Sequence, residues 1–249
     1  MAEVTKRDQR VRYFRQPKNI GWHNNFKFVL GQATGEFFMW AADDDEWNRQ
    51  FIERCLANMG SAASVVSGCD ILFRTTGHRD VVALPTLNLS LGTYLNLRMF
   101  LRDLAPGFIY GVHRRESLHW VLSESPFDWW DCYFVARQIA EGGIVTFQDV
   151  LFTMGIDADS YVLKPFDPGK GRLFRYRPFL QKVGTLIIYS SKLSFPQKLV
   201  LLNVTANYMA DAFIRFESKA RPRQVKLVRT LCSLKRILIR LGRKALKRI

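Results

Sequence analysis

The sequence predicts an α/β sheet with a helical, basic C-terminal extension, and three observations carry that prediction. An apolar aromatic run, Phe37 to Ala42, stops abruptly at Asp43-Asp44-Asp45. A helical pattern and a second apolar run, Ser64 to Phe73, follow it, giving the strand, helix, strand order of an α/β sheet. Beyond residue 180 the apolar residues recur at helical spacing, and Arg221 to Ile249 holds 11 basic residues and no acidic one.

Taken in order, Arg10 to Arg15 alternates into an extended segment around Val11, Tyr13 and Phe14, which Gln16 to Gly21 breaks with turn formers. Asn24 or Asn25 is the expected cap of a helix through Phe26, Val29, Leu30 and Ala33 that ends at Gly35. Glu36 to Ala42 reads as a buried strand that delivers three carboxylates to its C-terminal end. Arg49 to Met59 is a helix with Phe51, Ile52, Cys55, Leu56 and Met59 on one side, before Gly60. Ser64 to Phe73 is a strand with an irregularity at Gly68, and Leu84 to Leu104 is loop plus helix.

Phe108 to His113 reads as a strand or its end, and Arg115 to Leu122 as helical. After the break at Ser123 to Pro126 a helix is expected over Asp128 to Glu141, closed by Gly142-Gly143. Ile144 to Phe147 and Val150 to Met154 complete the unit. A boundary is expected near Lys164 to Gly171, where Pro165, Pro168, Gly169 and Gly171 accumulate, so the expected divisions are 1–164, 165–220 and 221–249. Leu180 to Tyr189 and Phe195 to Phe216 are apolar helical segments, interrupted by Lys182, Lys192, Lys198 and Asp211.

The bulk numbers narrow the function classes. A chain of 249 residues that is 48% hydrophobic and 13% aromatic must bury a core, which excludes disorder and low-complexity repeats. The net charge is +15, and subtracting the 11 charges of the tail leaves only +4 on the first 220 residues. A reader of nucleic acid would spread its charge over a face of the fold, so specific nucleic-acid binding is not expected. Cys55, Cys69, Cys132 and Cys232 have no paired spacing and read as reduced thiols of a cytoplasmic protein. Met1 to Arg12 has no apolar leader, and no apolar run reaches the length of a bilayer span. His23, His78, His113 and His119 show no ligand spacing.

The ordered landmarks Arg15-Gln-Pro-Lys-Asn19-Ile-Gly21, Asn25, Ala33, Gly35, the aromatic strand into Asp43-Asp44-Asp45, Tyr110-Gly111 and Phe127-Asp128-Trp129 resemble a family 2 glycosyltransferase over Arg10 to about Phe152. The resemblance implies a partial GT-A-like mixed sheet flanked by helices, binding a nucleotide-diphosphate sugar. It also implies a divalent cation, Mg²⁺ or Mn²⁺, on an Asp-x-Asp element that falls on Asp43 and Asp45, with Asp43 and Asp44 contacting the donor. Such an ion wants oxygen ligands and would neutralise the departing diphosphate. The plainer reading of the triplet is a solvated turn.

Arg15, Asn19 and Gly21 match the loop that lines the nucleotide pocket in the family, against the plain reading of a surface Arg and a turn Asn. Asp128 matches the acceptor-side acid that acts as general base in a single inverting displacement, and it is equally placed to cap the following helix. Trp129 and Trp130 stand as possible acceptor contacts, with Asp131 a secondary one. The expected reaction is sugar transfer to a glycan or lipid-linked acceptor. In the tail, Leu227, Leu231, Leu234, Leu238, Leu241 and Ala245 line one stripe opposite Arg229, Arg236, Arg240, Arg243 and Lys247, an arrangement suited to the inner, anionic face of a membrane. Packing of the same stripe on the preceding helices is the competing reading.

Two departures from the family accompany the match. Its first strands, with an acid for base and ribose, have no counterpart before Arg10, so a fragment, a mis-called start or a decayed gene is expected. Relatives place an Arg or His soon after the Asp149 to Phe152 segment, where this chain has Thr153-Met154-Gly155 and offers only Lys164 or Arg172 farther on. A noncatalytic protein with an interaction role is therefore the alternative function, and nucleic-acid binding through the tail a lesser one.

Overall fold

The computed structural model describes residues 6–82, 84–104, 106–156, 176–217, 226–230 and 232–233. The chain runs α1 (Trp22–Gln32), β1 (Phe37–Phe38), β2 (Glu46–Trp47), α2 (Phe51–Met59), β3 (Ser64–Phe73), β4 (His78–Val82), α3 (Gly92–Arg102), β5 (Val112–Arg114), α4 (Trp130–Glu141), β6 (Ile144–Ile156), α5 (Arg177–Tyr189) and α6 (Phe195–Glu217). Short 3-10 turns cover Leu89–Leu91, Pro106–Tyr110 and Arg115–Ser123. The sheet is mixed, in the order β1-β5-β3-β6-β2, with β4 also on β3. Only β3 and β6 run parallel, from Ser64 against Ile144 to Phe73 against Ile156.

Strand β3 is the sheet's centre because its residues Ser64 to Asp70 are all buried, so both faces are covered. β5 pairs with its start and β4 with its end, both antiparallel. The irregularity expected at Gly68 is a bulge opposite Gln148 and Asp149, and a Cβ on Gly68 would lie 2.6 Å from the Gln148 carbonyl oxygen. α2 packs on β3 and β6 through Phe51, Cys55 and Met59, while Ile52 and Leu56 remain exposed. The core continues through Trp40, Phe134, Phe108 and Phe100 into α5 and α6, where Phe179, Val183, Ile187 and Leu201 are buried. Each large side chain enclosed in this way contributes about 1.5–3 kcal/mol.

Several boundaries differ from expectation for local reasons. α1 begins at Trp22, with Gly21 as its N-cap at φ 76, rather than at an asparagine cap. The aromatic strand shrinks to Phe37–Phe38, a half-buried edge pair on β5, because the chain leaves the sheet there and sends Trp40 into the core. β4 carried no apolar run and escaped the sequence reading. The boundary expected at Lys164 to Gly171, with Lys164 and Arg172, lies outside the described residues, as do Arg236, Arg240, Arg243 and Lys247. Residues 226–230 are helical, and Arg229 is exposed there. Among the described residues no helix is long and apolar enough to cross a membrane.

Candidate functional site

Residues 39–45 travel from the β1 edge, which β5 separates from the start of β3, to the β2 edge, which pairs with β6 at Phe152 and Thr153. The acidic triplet therefore arrives at the C-terminal end of the parallel pair β3 and β6, where an α/β sheet gathers its chemistry. Asp43 and Asp44 are exposed there. Asp45 turns inward instead: its Oδ1 accepts the Gly155 N–H at 3.0 Å, and its Oδ2 is enclosed without a partner. Burial, opposed by that hydrogen bond, pushes its carboxyl up to about 6.

Two arginines from the β3–β4 hairpin clamp this turn. Arg74 donates to the Asp44 backbone oxygen through Nη2 and to the Ile156 carbonyl through its own backbone N–H. Arg79 donates to Asp70 Oδ2 at 3.1 Å and Thr153 Oγ1 at 3.1 Å, and reaches Glu46 Oε2 at 3.5 Å. Gly155 is required by this packing, since a Cβ there would lie 2.1 Å from the Asp44 oxygen and 2.8 Å from the Arg74 guanidinium. Nothing in the local sequence marked Arg74, Arg79 or Gly155, because their partners are 30 or more residues away in the chain or across the sheet.

The expected Mg²⁺ or Mn²⁺ site on Asp43 and Asp45 is corrected by the structure. Among the described residues no group of three or more His, Cys, Asp or Glu side chains comes together in a way that could hold a metal ion. The physical reason at the triplet is the inward turn of Asp45, which spends one carboxylate oxygen on a backbone amide and encloses the other.

The second cluster forms where the loop before α1 meets the start of α4. Asn19 accepts the Gly21 N–H on its Oδ1 at 2.8 Å, making a tight turn, and Gly21 has open space where a Cβ would stand. This turn borders a cavity of about 280 Å³ lined by Gln16, Lys18, Asn19, Gly21, Trp22 and Asn25. Arg15 is exposed beside it in sequence. Trp22 sits 6.0 Å from Trp130, ring centre to ring centre, which joins the loop to the Asp128 segment.

α4 starts one residue later than a cap at Asp128 requires. Its N-cap is Trp129, at φ 69 the only non-glycine residue with positive φ among the described residues, so Asp128 stands just outside the helix. A bulky residue held in the left-handed region stores about 1–3 kcal/mol and needs surroundings that enforce it. They are present: Trp129 packs against Tyr176, Phe179 and Tyr208 of the C-terminal helical segment. Trp130 is 1% exposed, a core wall against His23 and Trp120 rather than a surface platform. Asp131 is half-buried, accepts the Cys132 N–H at 2.8 Å, and has its pKa raised by burial.

His23 went unnoticed in the sequence as more than a histidine without ligand spacing. It is 2% exposed, both ring nitrogens lack partners, and burial lowers its pKa to about 4. His113, by contrast, is a satisfied core residue. Its Nδ1 lies 2.8 Å from the Ser64 hydroxyl and its Nε2 3.0 Å from the Ile109 carbonyl.

Comparisons with known proteins add to this geometry. Residues 1–115 match the family described as glycosyl transferase family 2. That match ends before Asp128. A crystal structure of S. aureus TarS 1-349 is similar with a TM-score of 0.61 at 15% identity, covering 89% of this chain and 59% of that one. The same protein in complex with UDP-GlcNAc is similar at a TM-score of 0.54 and 14% identity, covering 78% of this chain and 53% of that one. Its complex with UDP gives 0.51 at 14% identity, over 78% and 52% of the two chains. At such identities the likeness shows a shared fold, a GT-A-like mixed sheet with flanking helices, and the chain spans a little over half the length of those structures. No curated protein sequence matches the chain.

Proposed function

We propose that this protein is a family 2 glycosyltransferase that moves a sugar from a nucleotide-diphosphate donor to a hydroxyl group of a glycan or lipid-linked acceptor, with inversion at the anomeric carbon. The observation that carries this reading is the family match over residues 1–115, which contains both the Asn19 to Gly21 turn and the Asp43 to Asp45 triplet. A fold shared with a protein solved with UDP-GlcNAc and UDP supports a uridine-diphosphate donor.

In this reading the cavity at Asn19 and Gly21 takes part of the nucleotide, and Arg15 pairs with its anionic groups. Asp43 and Asp44 orient donor hydroxyls at the sheet's C-terminal end, beside the exposed Arg74 guanidinium. Asp128 accepts the proton of the acceptor hydroxyl as its oxygen attacks the anomeric carbon. The bond from that carbon to the diphosphate breaks on the opposite side, and the electron pair leaves with the nucleoside diphosphate. Trp129, fixed by Tyr176, Phe179 and Tyr208, holds the Asp128 backbone in place for this role.

A second reading, a donor-binding protein without turnover, is favoured by one observation: Asp45 is folded against β6, with one carboxylate oxygen on the Gly155 amide and the other enclosed. Isothermal titration with a panel of nucleotide-diphosphate sugars and UDP tests the shared part of both readings. Binding of one donor that is lost in Asn19→Ala and Asp44→Ala, with melting temperature kept, is expected. Absence of binding by every donor to folded protein would defeat both.

A further inference from the structure

Helices α5 and α6 leave an apolar end uncovered. α5 closes on Ile188 and Tyr189, 51% and 83% exposed, and α6 opens on Phe195 with Leu199 one turn later, 72% and 52% exposed. These residues share one end of the helix pair because Lys198 reaches across to donate to the Ile188 carbonyl at 2.7 Å. Lys192, in the turn itself, donates to the Ala140 and Glu141 carbonyls at 2.8 and 3.0 Å. Two ammonium groups are thus pinned where the apolar side chains emerge.

The core does not explain this exposure. Val183, Ile187 and Leu201, on the inward side of the same two helices, and Leu193 in the turn between them are buried. Leaving four further large apolar residues in water forgoes burial that is worth about 1.5–3 kcal/mol for each. Tyrosine and phenylalanine beside lysine is the composition of a segment that lies at a bilayer interface, with rings in the headgroup boundary and ammonium groups at its phosphates.

We propose that the turn between α5 and α6 inserts Ile188, Tyr189, Phe195 and Leu199 into the headgroup boundary of an anionic bilayer, with Lys192 and Lys198 against lipid phosphate. Charge selects this occupant over a second copy of the chain. From Arg177 to Met209 there are four cations and no carboxylate; Glu124 pairs with Lys182, which leaves Arg177, Lys192 and Lys198, and the whole chain carries +15. Two such surfaces repel each other, whereas an anionic leaflet attracts both. The contact is shallow, since no described helix is long and apolar enough to cross. It is independent of sugar transfer, because the measurement below reads lipid contact and not turnover.

The full chain carrying Cys232→Ser and Phe195→Cys is labelled with an environment-sensitive fluorophore on the introduced thiol; Cys55, Cys69 and Cys132 are buried and closed to labelling. Vesicles of phosphatidylcholine alone, and of phosphatidylcholine with phosphatidylglycerol, are then added. A blue shift is expected with the anionic vesicles, weakening as salt rises and quenched by lipids spin-labelled near the headgroup. A label placed through Leu199→Cys should report the same shift, which guards against a local fault at one position. Flotation of the protein with vesicles without a shift at either position would overturn the proposal and place membrane contact elsewhere. Failure to float would overturn it as well, and a shift that grows with protein concentration in the absence of lipid would identify a second copy as the occupant.

Discussion

His23 and His113 are both held neutral by burial, each lowered from 6.5 to about 4. Between those values the unfolded chain binds protons that the folded chain refuses, so stability is lost as pH falls from about 6.5 to 4 and is regained on the way up. A shift of that size corresponds to about 3 kcal/mol for each imidazole. Asp45 acts in the opposite sense. Its folded pKa, raised from 3.8 to about 6, makes the folded state the better proton binder, so its contribution is present below 3.8 and lost as pH rises through 6. Two imidazoles outweigh one carboxyl, and urea midpoints should therefore rise from pH 4 to pH 6.5. His23→Phe should remove most of that net rise, because the remaining imidazole and Asp45 then nearly cancel, and an unchanged slope would show that His23 is already protonated or solvated in the fold. Asp45→Asn keeps an acceptor for the Gly155 amide while removing the buried charge. Its melting temperature should match the parent near pH 4 and exceed it above pH 6, and a lower value at pH 7 would mean that the charged form is supported by the fold.

At the scale of elements, the turn carrying the triplet is set by what it crosses. Gly155→Ala should displace that turn, because the new methyl group meets the Asp44 oxygen and the Arg74 guanidinium. Overpacking of this kind costs about 1–3 kcal/mol, and the variant should lose donor binding more than helix content, read by titration and circular dichroism. Gly111→Ala tests the sheet itself: a Cβ there would lie 2.4 Å from the Val65 oxygen where β5 meets β3, so its melting temperature should fall while β3 and β6 stay paired. The sequence revealed β3, from Ser64 to Phe73, at its true bounds because two short apolar stretches, Val65-Val66 and Ile71-Leu72-Phe73, on either side of a glycine are a local signal. It overextended the Phe37 strand, since Met39 to Ala42 are apolar for a different reason, the burial of Trp40 between Phe26, Phe38 and Phe134. It missed β4, whose residues are mostly exposed and polar and whose strand pairing is with the distant end of β3.

Across the whole molecule, the two halves of the candidate site belong to different parts of the fold. The Asn19 to Gly21 cavity and the Asp128 segment are joined through Trp22 and Trp130, and the triplet is fastened to β6 and to the β3–β4 hairpin. Arg15, Asn19, Gly21, Asp43, Asp44 and Asp128 are singled out in the sequence by their resemblance to family motifs. Their local turns and caps depend on distant partners such as Gly155, Arg74 and Tyr176, which spacing along the chain does not encode. The inward turn of Asp45 is the clearest case, since only the approach of β6 reverses what three adjacent aspartates suggest. Asp128 carries the central claim, and the direct measurement is transfer of labelled sugar from the donor that titration identifies, with release of nucleoside diphosphate followed for the parent protein and for Asp128→Asn. Turnover in the parent that falls by about 100-fold or more in the variant, with donor affinity and melting temperature held, is the result this account predicts. Equal turnover by the two proteins, or tight donor binding by the parent without any transfer, would contradict it.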